Sequence, residues 1–282
     1  MSVASLDQIP AGAGGLTLGH YLRALRVIVM REGLRFVYQR GRFIAALVRP
    51  LVWLFIFAAG FRSVLGVSIQ PPYVTYILYE VYITPGLCGM ILLFAGMQSS
   101  LAMVYDREMG SMRVLLVSPL PRWYLLFCKL LAGTLVAVVQ CYVFLAIAYF
   151  WEVEPPAIGY LTVLPALLLA GFMLGSLGLL MSSLIKQLEN FAGVMNFVIF
   201  PMFFASSALY PLWRVRESSV LLWRICEANP FTHAVELVRF ALYAQFSPTA
   251  FAVTLGCTIV FMAIAVWGYD PGRGFMQSRQ TG

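Results

Sequence analysis

The 282-residue chain is 61% hydrophobic and only 11% charged, against about 25% charged residues in a soluble globular domain. Its net charge is +7, and two of its 19 basic residues are lysines; in so apolar a chain this marks cytoplasmic segments that meet anionic lipid, not a nucleic-acid surface. The apolar runs reach the length of a membrane-crossing helix and are continuous rather than alternating, which excludes a soluble domain and a β-barrel.

Residues 1–15 are rich in Gly, Ala and Ser and read as a disordered leader. Residues 16–40 fit an amphipathic helix with Leu18, Tyr21, Leu22, Leu25 and Val29 on one face and Arg23 and Arg31 off it. Such a helix lies along the cytoplasmic interface. Residues 1–42 lack an apolar core followed by a small-residue cleavage site, so the first span is expected to direct insertion.

Six spans are expected. The first runs from Phe43 to Leu65, with Arg49-Pro50 about a turn and a half inside it. Arg49 can snorkel to the head groups and Pro50 can kink the helix. The second span covers 81–104 and a charged stretch, Tyr105 to Pro119, follows it. The third covers 123–150, with Lys129 near its cytoplasmic end, and Glu152 to Pro156 forms a polar turn. The fourth covers 159–184, where Gly171, Gly175 and Gly178 form a small-residue stripe suited to close helix packing. The fifth covers 191–213 around Pro201, and the sixth covers 250–269. Residues 214–249 are too polar to span and read as two short helices dipping into the outer leaflet, with Asn229-Pro230 as a helix start. A tail, 271–282, ends the chain. Gln140 and Asn196 are expected to form hydrogen bonds between helices.

With both termini inside, the cytoplasmic segments hold 14 basic residues and the outer ones 5. That asymmetry places the termini and the Tyr105–Pro119 stretch in the cytoplasm.

Chemistry in the chain is sparse. Neither lysine, Lys129 or Lys186, lies in GxxxxGK[ST], so the chain carries no phosphate-binding loop of its own. The middles of the spans lack Asp, Glu, Lys and His, which weighs against an ion-coupled secondary transporter. No HExxH or GxSxG occurs. His233 and Glu236 at i,i+3 offer too few ligands for a metal and suit a local hydrogen bond, and Glu236 with Arg239 suits an interfacial pair. The cysteines Cys88, Cys128, Cys141, Cys226 and Cys257 form no CxxC pair and read as small core residues. Energy must then come from another protein, which needs a handle. Asp106 as N-cap, Glu108 in the first turn, an apolar knob at Leu115, Leu116 and Val117, and a stop at Ser118-Pro119 would make a short cytoplasmic helix of that kind. A plain loop between spans is the other reading of the same residues.

Tyr105-Asp106-Arg107-Glu108, Gly110, Leu115-Leu116, Ser118-Pro119 and Lys129 resemble the segment after the second span in type-2 ATP-binding-cassette (ABC) permeases, membrane subunits that export drugs, lipids and glycans. Phe200-Pro201 through Ser206 to Tyr210-Pro211 is similar to that family's fifth-span end. Asn229 to His233, Glu236 and Arg239 are similar to its outer re-entrant region. Ser111 and Arg113 depart from the Thr and Glu often found there, and Arg113 reverses a charge.

The resemblance implies an all-α polytopic fold: an interfacial helix within 1–42, a six-span domain over 43–270, a coupling helix at 106–118 and a re-entrant region at 214–249. It implies coupling to an ATPase through Asp106, Arg107, Glu108, Gly110, Arg113, Leu115 and Leu116. Two copies of a separate ABC ATPase, which bind ATP and Mg, and a second permease copy are the implied partners. Cargo is expected along the dimer interface, with Trp53, Phe57, Met97, Gln98, Phe203 and Phe204 as lining residues. The function so implied is export of an amphiphilic drug, lipid or glycoconjugate across the cell membrane, the inner membrane in a Gram-negative bacterium. A membrane adaptor for a partner protein, or an ion-coupled transporter, are the alternatives.

Overall fold

The computed structural model describes residues 18–38, 40–61, 71–73, 77–109, 120–185 and 187–269. The expected disordered leader, most of the coupling segment (110–119) and the tail lie outside these residues. Among the described residues the regular elements are helices: α1 (Leu18–Tyr38), α2 (Arg40–Phe61), α3 (Tyr79–Glu108), α4 (Arg122–Ala148), α5 (Gly159–Leu184), α6 (Leu188–Phe204), α7 (Leu212–Ser218), α8 (Val220–Ala228), α9 (Pro230–Leu242) and α10 (Pro248–Gly268).

Four of the six expected spans appear as helices long and apolar enough to cross a membrane: α3, α4 with its 3-10 extension to Trp151, α5 and α10. The apolar parts of the other two are shorter, Phe43–Ile56 in α2 and Leu188–Phe204 in α6. The centre of the molecule is α3, which packs against α5, α4, α2, α9 and α6. Its 30 residues extend about 45 Å at ~1.5 Å per residue, against a bilayer core of ~30 Å. The excess carries its charged end beyond the apolar layer. The peripheral α10 packs on α5 and α9 and leaves most of its apolar surface, such as Ile259 and Val260, exposed.

The α3–α5 contact depends on the absence of side chains. A Cβ on Gly96 would lie 2.9 Å from Gly175 Cα, and one on Gly178 would lie 2.8 Å from the Gly96 carbonyl oxygen. The expected stripe divides between two neighbours, because Gly171 faces Thr134 of α4, whose Cγ2 would lie 2.6 Å from a Cβ. Cys88, Cys128, Cys141 and Cys226 are buried free thiols in the packed interior, as expected of small apolar residues.

Two expectations are corrected. The fifth span was expected to continue to Trp213, but α6 ends at Phe204. Residues Ser206 to Leu209 leave the helix yet stay buried. The chain can be non-helical there because side chains take its carbonyls. Tyr79 Oη donates to Leu209 O (2.6 Å), Tyr82 Oη to Ser207 O (3.0 Å), and Asn229 Nδ2 to Met202 O (2.8 Å) and Ala205 O (2.6 Å). Hydropathy does not detect this, because the segment remains apolar after its helix stops. The segment that follows holds three short helices, α7, α8 and α9, where two were expected, and α7 includes Trp213.

The second correction concerns Asp106. It does not cap a new helix: Asp106, Arg107 and Glu108 form the last turn of α3, and Met109 is the C-cap.

Candidate functional site

The last turn of α3 joins three other helices through three consecutive side chains. Asp106 Oδ2 accepts from Lys129 Nζ of α4 at 3.3 Å. A carboxylate at a helix C-terminus meets the negative end of the helix dipole, and the lysine offsets that. Lys129 is itself buried and needs the carboxylate in turn. Arg107 Nη1 donates to Ser182 O at 3.0 Å and its Nη2 donates to Ile185 O, so one guanidinium takes carbonyls that the end of α5 leaves unpaired. Ser182 Oγ also meets Tyr269 Oη at the end of α10, at 2.7 Å. Glu108 Oε1 accepts from Leu188 N, the first residue of α6, at 3.5 Å, where a negative charge suits the helix N-terminus. Asp106, Arg107 and Glu108 thereby tie the end of α3 to α4, α5 and the start of α6. Of the expected coupling residues, Asp106, Arg107 and Glu108 meet in this hub. Gly110, Arg113, Leu115 and Leu116 lie outside the described residues.

Helix α1 joins the same end of the bundle. Tyr21 of α1 stacks edge-on with Tyr124 of α4 at 4.9 Å, and Tyr124 Oη donates to Tyr21 O at 2.7 Å. The face expected to be apolar divides. Tyr21, Leu25 and Val29 are partly buried, while Leu18 and Leu22 are exposed beside Arg23 and Arg26.

The expected cargo-lining residues also divide. Trp53 of α2 meets Phe203 at 5.9 Å and Phe204 at 5.8 Å, both of α6. The cluster continues to Phe200 and Phe231. Phe204 is 41% exposed and Phe203 only 1%, so Phe204 presents the outer edge of this cluster and Phe203 its base. The side chain of Met97 is buried in the packed core around α3. Gln98 faces a cavity shared with α2 and α4. The side chain of Phe57 lies outside the described residues. Neither Gln140 nor Asn196 makes the expected hydrogen bond between helices among the described residues; Asn196 is exposed on α6.

Among the short helices, Asn229 caps α9, accepting from Phe231 N at 3.0 Å, with Pro230 in the first helical turn as expected. His233 makes a local contact of 2.9 Å with Glu227 O, not with Glu236 at i,i+3 as expected; Glu236 pairs with Arg239 instead. Arg239 is 1% exposed. It pairs with Glu236, donates to Ser207 O at 2.8 Å and lies 4.1 Å from the ring centre of Tyr82. Burial alone would lower its pKa, but Glu236 and the nearby tyrosines Tyr82 and Tyr73 outweigh burial and raise it. The pair itself was readable as i,i+3 spacing; its burial and its grip on Ser207 were not.

The model of the ABC-2 type transporter family matches residues 23–243. The chain is 24% identical over 266 residues to ycf38 of Cyanophora paradoxa, named as a transport permease, covering 89% of this chain and 88% of that one. It is 31% identical over 164 residues to YbhR of Escherichia coli strain K12, named as a multidrug ABC transporter permease, covering 57% and 43% respectively. It is 24% identical over 225 residues to ycf38 of Porphyra purpurea, with 78% and 74% covered.

Proposed function

The chain belongs to the ABC-2 type transporter family, and from that premise we propose that it is the membrane-spanning subunit of an ATP-driven exporter. It is a multi-pass membrane protein whose family normally works with an ABC ATPase. Two copies of that ATPase bind ATP and Mg on their own residues. They drive a pair of these chains whose termini both lie in the cytoplasm. The observation that carries this reading is the hub at the end of α3. Asp106, Arg107 and Glu108 each hold a different helix, so a push on the adjoining cytoplasmic residues 110–119, Arg113, Leu115 and Leu116 among them, moves the bundle as a unit. Cargo is an amphiphile, a drug, lipid or glycoconjugate. It moves between two copies along the aromatic edge formed by Trp53 and Phe204, with Phe57 one turn after Trp53 in sequence and Gln98 in the cavity that α3 shares with α2 and α4.

The test is reconstitution in vesicles with the ATPase encoded beside this chain. The expected result is transport of a fluorescent amphiphile that requires ATP and is matched by cargo-stimulated hydrolysis. ATPase binding without transport would favour an adaptor. Transport driven by an ion gradient in the absence of ATP would overturn the reading.

A further inference from the structure

We infer that the open-sided cavity between α2, α3 and α4 binds the anionic phosphate head group of a lipid from the cytoplasmic leaflet. The cavity has a volume of about 160 Å³. Its polar walls are Arg49 of α2, Gln98 and Ser99 of α3 and Gln140 of α4. Room for it comes from small side chains, among them Ala46, Ala95 and Gly133.

These polar groups lack partners. Gln140 is buried and its Oε1 accepts no hydrogen bond; a half-turn of the carboxamide exchanges its oxygen and nitrogen, and it is Nε2 that can then donate to an anion. Among the described residues, Arg49, Gln98 and Ser99 make no hydrogen bond or ion pair either; the only recorded contact of the Arg49 guanidinium is with the face of Phe94, at 3.6 Å. That contact leaves the N–H edges of the arginine available. At the depth of a membrane span, unsatisfied polar groups are costly and a cation needs a counter-charge. Lys129 and Glu32 also line the cavity, and Lys129 is already paired with Asp106. Arg49 is therefore the cation left to be matched.

The donor set selects the ligand. Besides the Glu32 carboxylate, which pairs with Arg31 at 3.2 Å, the walls offer a guanidinium, two carboxamides and a hydroxyl; the guanidinium edge fits two phosphate oxygens at once, and carboxamide N–H and hydroxyl groups can donate to the others. The position selects a lipid. Lys129 and Gln140 are 11 residues apart on α4, or about 16 Å at ~1.5 Å per residue. The cavity thus runs from the cytoplasmic interface, where lipid phosphates lie, towards the middle of the bilayer. Ile44, Val48 and Val52, close in sequence to the lining residues of α2, are exposed apolar residues that acyl chains can follow. The site serves a lipid whether or not that lipid is cargo, so it does not depend on export.

The test uses the purified full chain in detergent, titrated with dioctanoyl phosphatidylglycerol, dioctanoyl phosphatidylcholine and inorganic phosphate. The expected result is saturable binding of phosphatidylglycerol, at least tenfold tighter than phosphatidylcholine. Arg49→Gln and the space-filling Gly133→Leu each weaken it at least tenfold. Gln140→Leu replaces an unsatisfied buried amide, so its melting temperature without lipid is unchanged or higher while its stabilisation by phosphatidylglycerol falls; this variant carries the test if the other two fail to fold. Arg216→Gln, on the outer short helix α7, binds as the wild type does. Equal binding of the two lipids, wild-type binding by the folded variants, or saturation by inorganic phosphate at the concentrations that saturate with lipid would each overturn the inference.

Discussion

Replacing Arg239 with methionine gives a direct measure of what holds the outer region. Methionine nearly matches the aliphatic stem, so little packing is lost and the charge is what disappears. The change leaves Glu236 without its partner, Ser207 O without its 2.8 Å donor and the Tyr82 ring without its cation. Removing one member of a buried ion pair costs about 3–5 kcal/mol. The side chain of Glu236 keeps 23% of its exposure, so water recovers part of that and the lower end applies, about 3 kcal/mol. At roughly 2–4 °C per kcal/mol for a chain of this size, the melting temperature should fall by about 6–12 °C. The assay is thermal unfolding in one detergent, followed by tryptophan fluorescence. The double variant Arg239→Met with Glu236→Leu should recover at least half of the loss, because the carboxylate no longer stands alone. A single variant within about 3 °C of the wild type, or a double variant no better than the single, would refute the reasoning.

Three further outcomes are expected. Arg107→Met frees the end of α5 and Glu108→Arg puts a cation at the positive start of α6. Each should leave at least half of the ATPase activity of the reconstituted complex while lowering transport at least tenfold, as should Leu115→Ala combined with Leu116→Ala; wild-type transport in all three would remove the coupling role. Asn229→Ala loses the α9 cap and two bonds to the end of α6. It should cost about 2–3 kcal/mol, with Asn229→Asp intermediate because it keeps the cap and loses the donors; equal melting temperatures for the two variants would contradict this. Gly178→Leu should abolish monodisperse protein in size-exclusion chromatography because the Gly96 backbone lies against it, whereas Gly256→Ala, with nothing within 4 Å, should behave as the wild type does.

Three features at the last turn of α3 separate what was readable from what was not. The charges of Asp106, Arg107 and Glu108 between apolar runs marked the end of a span from sequence alone. Their placement at the end of α3 was missed, because local patterning treats Asp followed by Glu as a helix start. Here the helix continues instead, with Lys129 of α4 neutralising Asp106. The partners of Arg107 and Glu108, at Ser182 and Leu188, are some 75–80 positions away, and no local signal points to them.

The same division holds along the whole chain. Composition and run length determined a helical, multi-pass membrane protein, because lipid offers the backbone no partners and only helices satisfy it locally. Asn229-Pro230 determined where α9 begins, since a cap acts within one turn. Tertiary structure alone decided that α6 stops at Phe204, since its freed carbonyls are taken by Tyr79, Tyr82, Asn229 and Arg239 from other helices. It also decided that Met97 belongs to the core while its neighbour Gln98 faces a cavity. Hydrophobicity is a property of each residue, so it is written in the sequence; hydrogen-bond partners and cavities are properties of residues brought together, so only packing fixes them.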